Sequence, residues 1–359
     1  MLESIPNILT WRNASEFHGS LLETHRTSLL EEYQERMALF LAAGIGTHVD
    51  RLSRELPQSS IDRILGAPET ANILLFEPRT KFRHFLNAIV AEHALLGNSE
   101  VDEGVWTALF DYYIQPNEEG KTGTPCDVMA APRLRNGIPI DLSSPQAEHT
   151  YFPTADPSLP LTGDEASIAK VRLAQALDAI AVVSPAASEL IQKYVRVILL
   201  RKDAEAQALI TCSYDHFTGK VGFVNVHLSK ISLGRLMDGL VHEAIHSFLY
   251  MLEEGRPFFP TEEAANLMGL NSPWSGRMLR LHTFLHACYV WFGLWQFWKE
   301  AMILEAVSLP ETCRMLDRAR SGFFRPEMVD RIRELDPHLT RDAKPVIQLI
   351  NDVRSGEYD

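Results

Sequence analysis

Cysteine is scarce in this chain, four residues in 359, and Cys126, Cys212, Cys288 and Cys313 lie far apart with no C-x-x-C pair. That excludes a disulfide framework and a cysteine-held zinc, so any metal must be held by histidine and carboxylate. Basic charge is short too: 34 Lys+Arg face 47 Asp+Glu, a net charge of -13. The phosphate-neutralising surface that dominates nucleic-acid affinity is missing, and no nucleic-acid partner is expected. Long apolar runs are also absent. The longest, Phe284 to Trp298, is about 15 residues, contains His286 and Gln296 and is followed by Lys299, too short and too polar for a membrane span. It reads as a buried helix, and no membrane partner is expected. Met1-Leu-Glu-Ser-Ile-Pro has an acid at Glu3 and no basic segment leading into an apolar core, which points to the cytoplasm.

What is present is ordinary globular composition, 46% hydrophobic and 23% charged, with length for about two domains. Apolar residues recur at helical spacing from Leu21 to Leu41 (Leu21, Leu22, Leu29, Leu30, Tyr33, Met37, Phe40), and similar patterns cover Lys81–Leu96 and Asp102–Ile114. The first third is therefore expected to be mainly helical. Between Gln115 and Pro160, glycines and prolines forbid long regular elements. The chain is expected to divide there, into a helical N-terminal region 1–155 and a catalytic metal domain 156–359. After Thr162-Gly-Asp-Glu a helix runs to about Ile191. The period then falls toward two in Tyr194–Leu200, Ala208–Ser213 and Val221–Leu228, the last two joined by a hairpin-length loop. Helices are expected again over Ser232–Glu254, roughly Met278–Ala306, and between Pro326 and Val353. The fold class is α+β, mainly helical, with a small antiparallel sheet next to the Ser232–Glu254 helix.

His242-Glu243-Ala244-Ile245-His246 in that helix is an H-E-x-x-H. Helical residues four apart share a face, so both imidazoles can address one ion, while Glu243 is rotated by about 100° to the edge of the site. The third ligand separates the chemistries. His246 is followed by Ser247-Phe-Leu-Tyr-Met-Leu, without the glycine and histidine that continue the metzincin motif. A thermolysin-like arrangement would take a glutamate some 19–20 residues on, where Ala265 and Asn266 stand, with Glu262 and Glu263 one turn early. The other source is Leu281-His282-Thr-Phe-Leu-His286, a second i, i+4 pair that shares a face with Tyr289 and Gly293. A three-histidine site suits Fe(II) or Zn(II). Trp291, Trp295 and Trp298, at i, i+4, i+7, read as core packing.

Three segments taken together, Leu240-Val-His-Glu-Ala-Ile-His246, Asn271-Ser-Pro-Trp274 and Leu285-His286-Ala-Cys-Tyr-Val290, resemble the 2-oxoglutarate-dependent H-E-x-x-H peptide β-hydroxylases of bacterial ribosomal-peptide biosynthesis. The resemblance spans about Val221 to Leu294. It implies His242, His246 and His286 as iron ligands, with Fe(II), 2-oxoglutarate and O2 as the cofactor and co-substrates and a peptide as substrate. The family's arginine-bearing stretch falls on Ser275-Gly-Arg277-Met-Leu-Arg280, and Ala287 stands where the family favours glycine. The distal carboxylate of the co-substrate needs a fixed cation, ideally a guanidinium fork. Arg280, about 1.7 turns before His286 on the expected helix, is the first candidate, Arg277 the second. His282 is placed beside the bound co-substrate.

The expected function is Fe(II)/2-oxoglutarate-dependent hydroxylation of an unactivated carbon, the β-carbon of a residue in a peptide. Glu243 is the catalytic candidate. In a zinc metallopeptidase, with Glu262 or Glu263 as third ligand, it would be the base for a metal-bound water; in an oxygenase it keeps only a supporting or weak ligand role. A third possibility is a catalytically silent protein whose histidines, closed by His282 as a fourth ligand, hold a structural metal or guide peptide binding.

Overall fold

The structure, a computed structural model, describes residues 5–12, 15–42, 47–76, 82–117, 126–144, 147 and 158–358. In chain order its elements are α1 (Ile5–Leu9), α2 (Ser15–Ala42), α3 (Thr47–Glu55), α4 (Gln58–Leu65), α5 (Pro68–Ala71), α6 (Phe82–Leu95), β1 (Val105–Trp106), β2 (Tyr112–Pro116), β3 (Cys126–Ala130) and β4 (Ile140–Asp141). There follow α7 (Gly163–Val183), α8 (Pro185–Tyr194), β5 (Val197–Arg201), β6 (Ile210–Ser213), β7 (Lys220–Val224), α9 (Leu233–Gly255), α10 (Glu262–Asn266), β8 (Met268–Asn271), β9 (Met278–Arg280), α11 (Leu281–Ile303), α12 (Leu309–Ser321), α13 (Met328–Leu335) and α14 (Pro345–Ser355). The protein is α+β and mainly helical. No helix among the described residues is long and apolar enough to cross a membrane.

The chain forms two compact units, one from Met1–Leu21, Gln175–Ile191 and Ser232–Asp359, the other from Leu22–Ala174 and Gln192–Ile231. The division expected at residue 155 falls outside the described residues.

The second unit holds two sheets. β1, β2 and β3 form an antiparallel sheet in that order, Val105 opposite Ile114 and Tyr113 opposite Met129. The helix expected over Asp102–Ile114 is therefore replaced by β1, a turn and the start of β2. The turn is the reason: Thr107 Oγ1 donates to Asp111 Oδ1 at 2.6 Å, the Thr107 N–H donates to Tyr112 O at 3.0 Å, and Phe110 takes a left-handed φ of 51°. A continuous helix cannot accommodate that φ. The other sheet runs β4-β5-β7-β6 and is mixed, since β4, β5 and β7 are parallel and only β6 is antiparallel to its neighbour. The expected hairpin joins β6 and β7, but β5 pairs on the far side of β7, so the sheet is not purely antiparallel. β5 and β7 are buried along their whole length, as strands with parallel neighbours usually are. Lys220 inside β7 is tolerated because its Nζ meets Glu69 Oε1 at 2.9 Å.

In the first unit, α11 is apolar nearly all round and correspondingly buried, with Phe284, Leu285, Tyr289, Phe292, Phe297 and Trp298 inaccessible to solvent. Each such side chain contributes about 1.5–3 kcal/mol by leaving water. The expected start at Met278 is three residues early: Arg280 keeps extended dihedrals (φ −66°, ψ 155°) as the N-cap of α11, and Met278–Arg280 pairs with β8. Prolines divide two other expected helices. Pro185 separates α7 from α8, and Pro337 and Pro345 leave α13 and α14 where one helix was expected. α9 begins at Ser232, whose Oγ accepts from the Arg235 N–H at 3.3 Å. Gly293 lets helices close up on α11: a Cβ there would stand 2.7 Å from Ile245 Cδ1 of α9. The Gly293 carbonyl also accepts from Trp11 Nε1 at 2.9 Å.

Candidate metal centre

α9 carries His242, His246, Tyr250 and Glu253 at i, i+4, i+8 and i+11, one stripe of its surface. α11 carries His282 and His286 at i, i+4. The two stripes meet. His246 Nδ1 and His286 Nδ1 are 3.2 Å apart, and the rings of His242 and His246 have centroids 5.0 Å apart. Tyr250 packs between the histidines, 5.9 Å from His246 and 4.9 Å from His286. Glu253 lies behind them, its Oε2 taking the His282 Nε2 contact at 2.7 Å and its Oε1 standing 3.3 Å from His286 Nε2. His286 thus offers one nitrogen to His246 and the other to a carboxylate. The Tyr289 hydroxyl, buried one turn beyond His286, makes no hydrogen bond among the described residues.

The surroundings keep the first two histidines neutral. Burial, then the charges of Arg318 and Arg235, hold His242 down to about 3, and burial with repulsion from His242, His286 and His282 lowers His246 well below its ordinary value. A neutral imidazole has the lone pair that a metal requires. For Glu253, burial acts to raise the carboxyl, but the charge of His286 and the bonds from His282 and His286 outweigh it and hold it near 2. Two donor sets share His286. One is His242, His246 and His286; the other is Glu253, His282 and His286, whose candidate ligand atoms lie within 4.8 Å of one another.

Aromatic and cationic groups border the His242 end. Trp291 meets His242 edge to face at 5.8 Å and stacks on Trp274 at 5.8 Å with 14° between planes. Trp274 is delivered by the Asn271-Ser-Pro-Trp segment between β8 and β9. Ser272 Oγ accepts from the N–H groups of Trp274 (3.3 Å) and Ser275 (3.2 Å), and Trp274 Nε1 donates to Ala319 O at 2.9 Å. Gly322 must be a glycine here, since its Cβ would stand 2.2 Å from Trp274 Cε2. Arg318 Cζ sits 4.9 Å over Trp291, and Arg318 and Arg235 each reach Asp238 Oδ2 at 3.6 Å. Asp238 Oδ1 accepts from Trp298 Nε1 at 2.9 Å; burial raises this carboxyl against the pull of Trp298 and the two arginines. Trp291 therefore lines the site, whereas Trp295 and Trp298 are the core residues their spacing suggested.

Of the residues expected at the site, His242, His246, His282 and His286 come together. Glu243 is buried beside His242 in sequence, 2% exposed. Arg277 and Arg280 are exposed, and Arg280 Nη1 donates to Asn266 Oδ1 at 3.0 Å. Arg280 is on β9 and not on the helix of His286, so the helical spacing that aimed it at His286 does not apply. Glu262 and Glu263 are exposed in the first turn of α10, and the carboxylate that joins the histidines is Glu253 instead. Glu253, Tyr250 and Arg318 escaped the sequence reading. Continuing the His242–His246 face two turns further along the same helix would have found the first two. No family model matches the chain, and no curated protein is similar to it in sequence.

Proposed function

We propose that this protein is an Fe(II)- and 2-oxoglutarate-dependent oxygenase, acting in the cytoplasm on a peptide and hydroxylating an unactivated carbon, the β-carbon of one residue. The observation that carries the proposal is the approach of His246 to His286, their Nδ1 atoms 3.2 Å apart, with the His242 ring 5.0 Å from that of His246. Two nitrogens bound to one ion at about 2.1 Å stand about 2.9–3.4 Å apart for angles between octahedral and tetrahedral. The His246–His286 pair meets that requirement. The 2.7 Å contact of Glu253 with His282 is shorter than it, at the length of a charge-assisted hydrogen bond. We take His242, His246 and His286, the set given by the H-E-x-x-H spacing, as the donors and Glu253 as a positioning residue; the atoms already within 4.8 Å of one another are those of Glu253, His282 and His286.

In that reading the Glu253 carboxylate, 3.3 Å from His286 Nε2, favours the ring orientation that leaves Nδ1 for the ion, and its hydrogen bond with His282 ties that ring into the same arrangement. Bound Fe(II) with open positions would supply oxygen activation in concert with a 2-oxo acid. Tyr250 and Trp291 pack against the donor rings, and His286 itself is buried in α11. Glu243 has no proton to move in hydroxylation; in hydrolysis it would be the base.

The test is anaerobic purification, metal analysis and incubation with 2-oxoglutarate. Fe(II)-loaded protein should form succinate from 2-oxoglutarate only when O2 is admitted, and show no peptidase activity. Hydrolysis of peptides by the zinc form, lost in Glu243→Gln with zinc retained, and no succinate from the iron form would replace this reading with a metallopeptidase.

A further inference from the structure

We propose that Arg318, with Arg235 beside it, forms a carboxylate-binding pair on the His242 side of the histidine cluster. Both guanidinium groups face one carboxylate, and it serves neither fully. Asp238 Oδ1 is taken by Trp298 Nε1 at 2.9 Å, so Oδ2 meets Arg235 Nη1 and Arg318 Nη1 at 3.6 Å each, outside hydrogen-bond length. Two guanidinium groups thus share one carboxylate oxygen, and neither is within hydrogen-bond length of it. Desolvation already presses on Arg318, and a half-solvated cation of that kind gains from a second anion.

Its position is set by aromatic groups. The Arg318 Cζ lies 4.9 Å over Trp291 and Trp291 lies 5.8 Å from His242, which together keep the guanidinium within about 11 Å of that imidazole. Trp274 stacks on Trp291 and is anchored through Nε1 on Ala319, the residue after Arg318. The stacked tryptophans thus hold the fork in place instead of leaving it to sweep solvent. By contrast Arg280 is exposed and bonded to Asn266.

The ligand is a carboxylate from one of two sources, the far end of a 2-oxo dicarboxylate bound at the ion or an acidic side chain of the peptide. The inference rests on the metal-site reading above for its purpose but is tested separately from it. Full-length protein loaded with Zn(II), a redox-silent ion, is titrated calorimetrically with two probe pairs: 2-oxoglutarate against 2-oxobutyrate, which lacks the second carboxylate, and acetyl-Ala-Asp-Ala-amide against acetyl-Ala-Asn-Ala-amide. Arg318→Ala should weaken the acidic member of one pair ten- to a hundredfold while sparing its neutral partner and the zinc content. Loss confined to 2-oxoglutarate assigns the co-substrate, and loss confined to the Asp peptide assigns the substrate. Arg318→Lys, which keeps the charge without the fork and guards against misfolding of the Ala variant, should recover only part of the affinity. The proposal is overturned if wild type binds neither acidic probe more tightly than its neutral partner, if folded Arg318→Ala and Arg318→Lys bind both as wild type does, or if Arg280→Ala or Arg277→Ala produces the loss in place of Arg318→Ala. A chain that takes up no metal yet still loses acidic-probe binding in Arg318→Ala would remove the oxygenase reading and leave the carboxylate site standing.

Discussion

Glu253→Gln and His242→Ala, made side by side, separate the two donor sets that share His286. If Glu253 orients His286 from behind, Gln retains an acceptor for His282 Nε2, now at 2.7 Å from Oε2, but gives up the negative charge 3.3 Å from His286 Nε2. Loss of an orienting carboxylate typically costs ten- to a hundredfold in metal affinity, or about 1.4–2.8 kcal/mol. His242→Ala removes a donor outright and should leave the site unable to compete with a chelator of micromolar affinity. The assay is competition for Zn(II) or Fe(II) against a chromophoric chelator, read as a dissociation constant. Urea unfolding of the metal-free variants runs alongside, because the part-buried charge-assisted pair of Glu253 and His282 is itself worth about 1.5–3 kcal/mol at most. The reverse pattern, with Glu253→Gln stripped of metal and His242→Ala retaining it at near wild-type affinity, would refute the three-histidine set and install Glu253, His282 and His286.

Three further outcomes are expected. His242 is held at about 3 in the folded chain against an ordinary 6.5, so its contribution to metal-free stability is complete above pH 6.5 and is lost as the pH falls, when the unfolded chain takes up a proton that the folded one refuses. The slope is at most about 1.4 kcal/mol per pH unit for this group. Urea titrations between pH 7 and 4.5 should show a shallower slope in His242→Gln, and an unchanged slope would contradict the neutral imidazole. Gly322→Ala should cost about 1–3 kcal/mol by overpacking, since its Cβ meets the rigid Trp274 ring at 2.2 Å; thermal unfolding and a shift in tryptophan emission measure it, and a neutral result would mean that the ring is not seated there. Trp11→Ala should cost about 3–5 kcal/mol through its buried ring and the lost bond to the Gly293 carbonyl, checked by urea unfolding, where a change under 1 kcal/mol would show that α1 is not docked on α11.

The sequence was most legible where one period ruled. H-E-x-x-H on α9 and the His282–His286 pair on α11 follow helical spacing, and the structure brings those four rings together. The capped start of α7, where Glu165 Oε2 accepts from the Thr162 N–H at 2.7 Å, was equally readable. Val105, Trp106, Leu109, Tyr113 and Ile114 imitate a helix because apolar spacing cannot register the left-handed φ at Phe110 or the Thr107–Asp111 bond that turn them into strands. Arg277 and Arg280 drew notice by proximity in sequence to His286, whereas Arg318 approaches His242 through Trp291 from a helix 76 residues away, a contact no local pattern announces.

The bond from Trp11 to Gly293 links residues 282 positions apart. During synthesis at about 5–20 residues per second, roughly 15–55 s pass before the carbonyl that receives this indole exists. Ile8 and Leu9 are fully buried in the finished protein, and until then they lack the surface of α11 that covers them. The helix Ile5–Leu9 thus reaches its place late, and it docks on α11 only after the histidine-bearing part of that helix has been made. Contacts of such long range are slow to form. A nascent chain stalled short of residue 293 should accordingly expose the segment 5–12 to proteases and holdase chaperones, and synthesis past α11 should end that exposure.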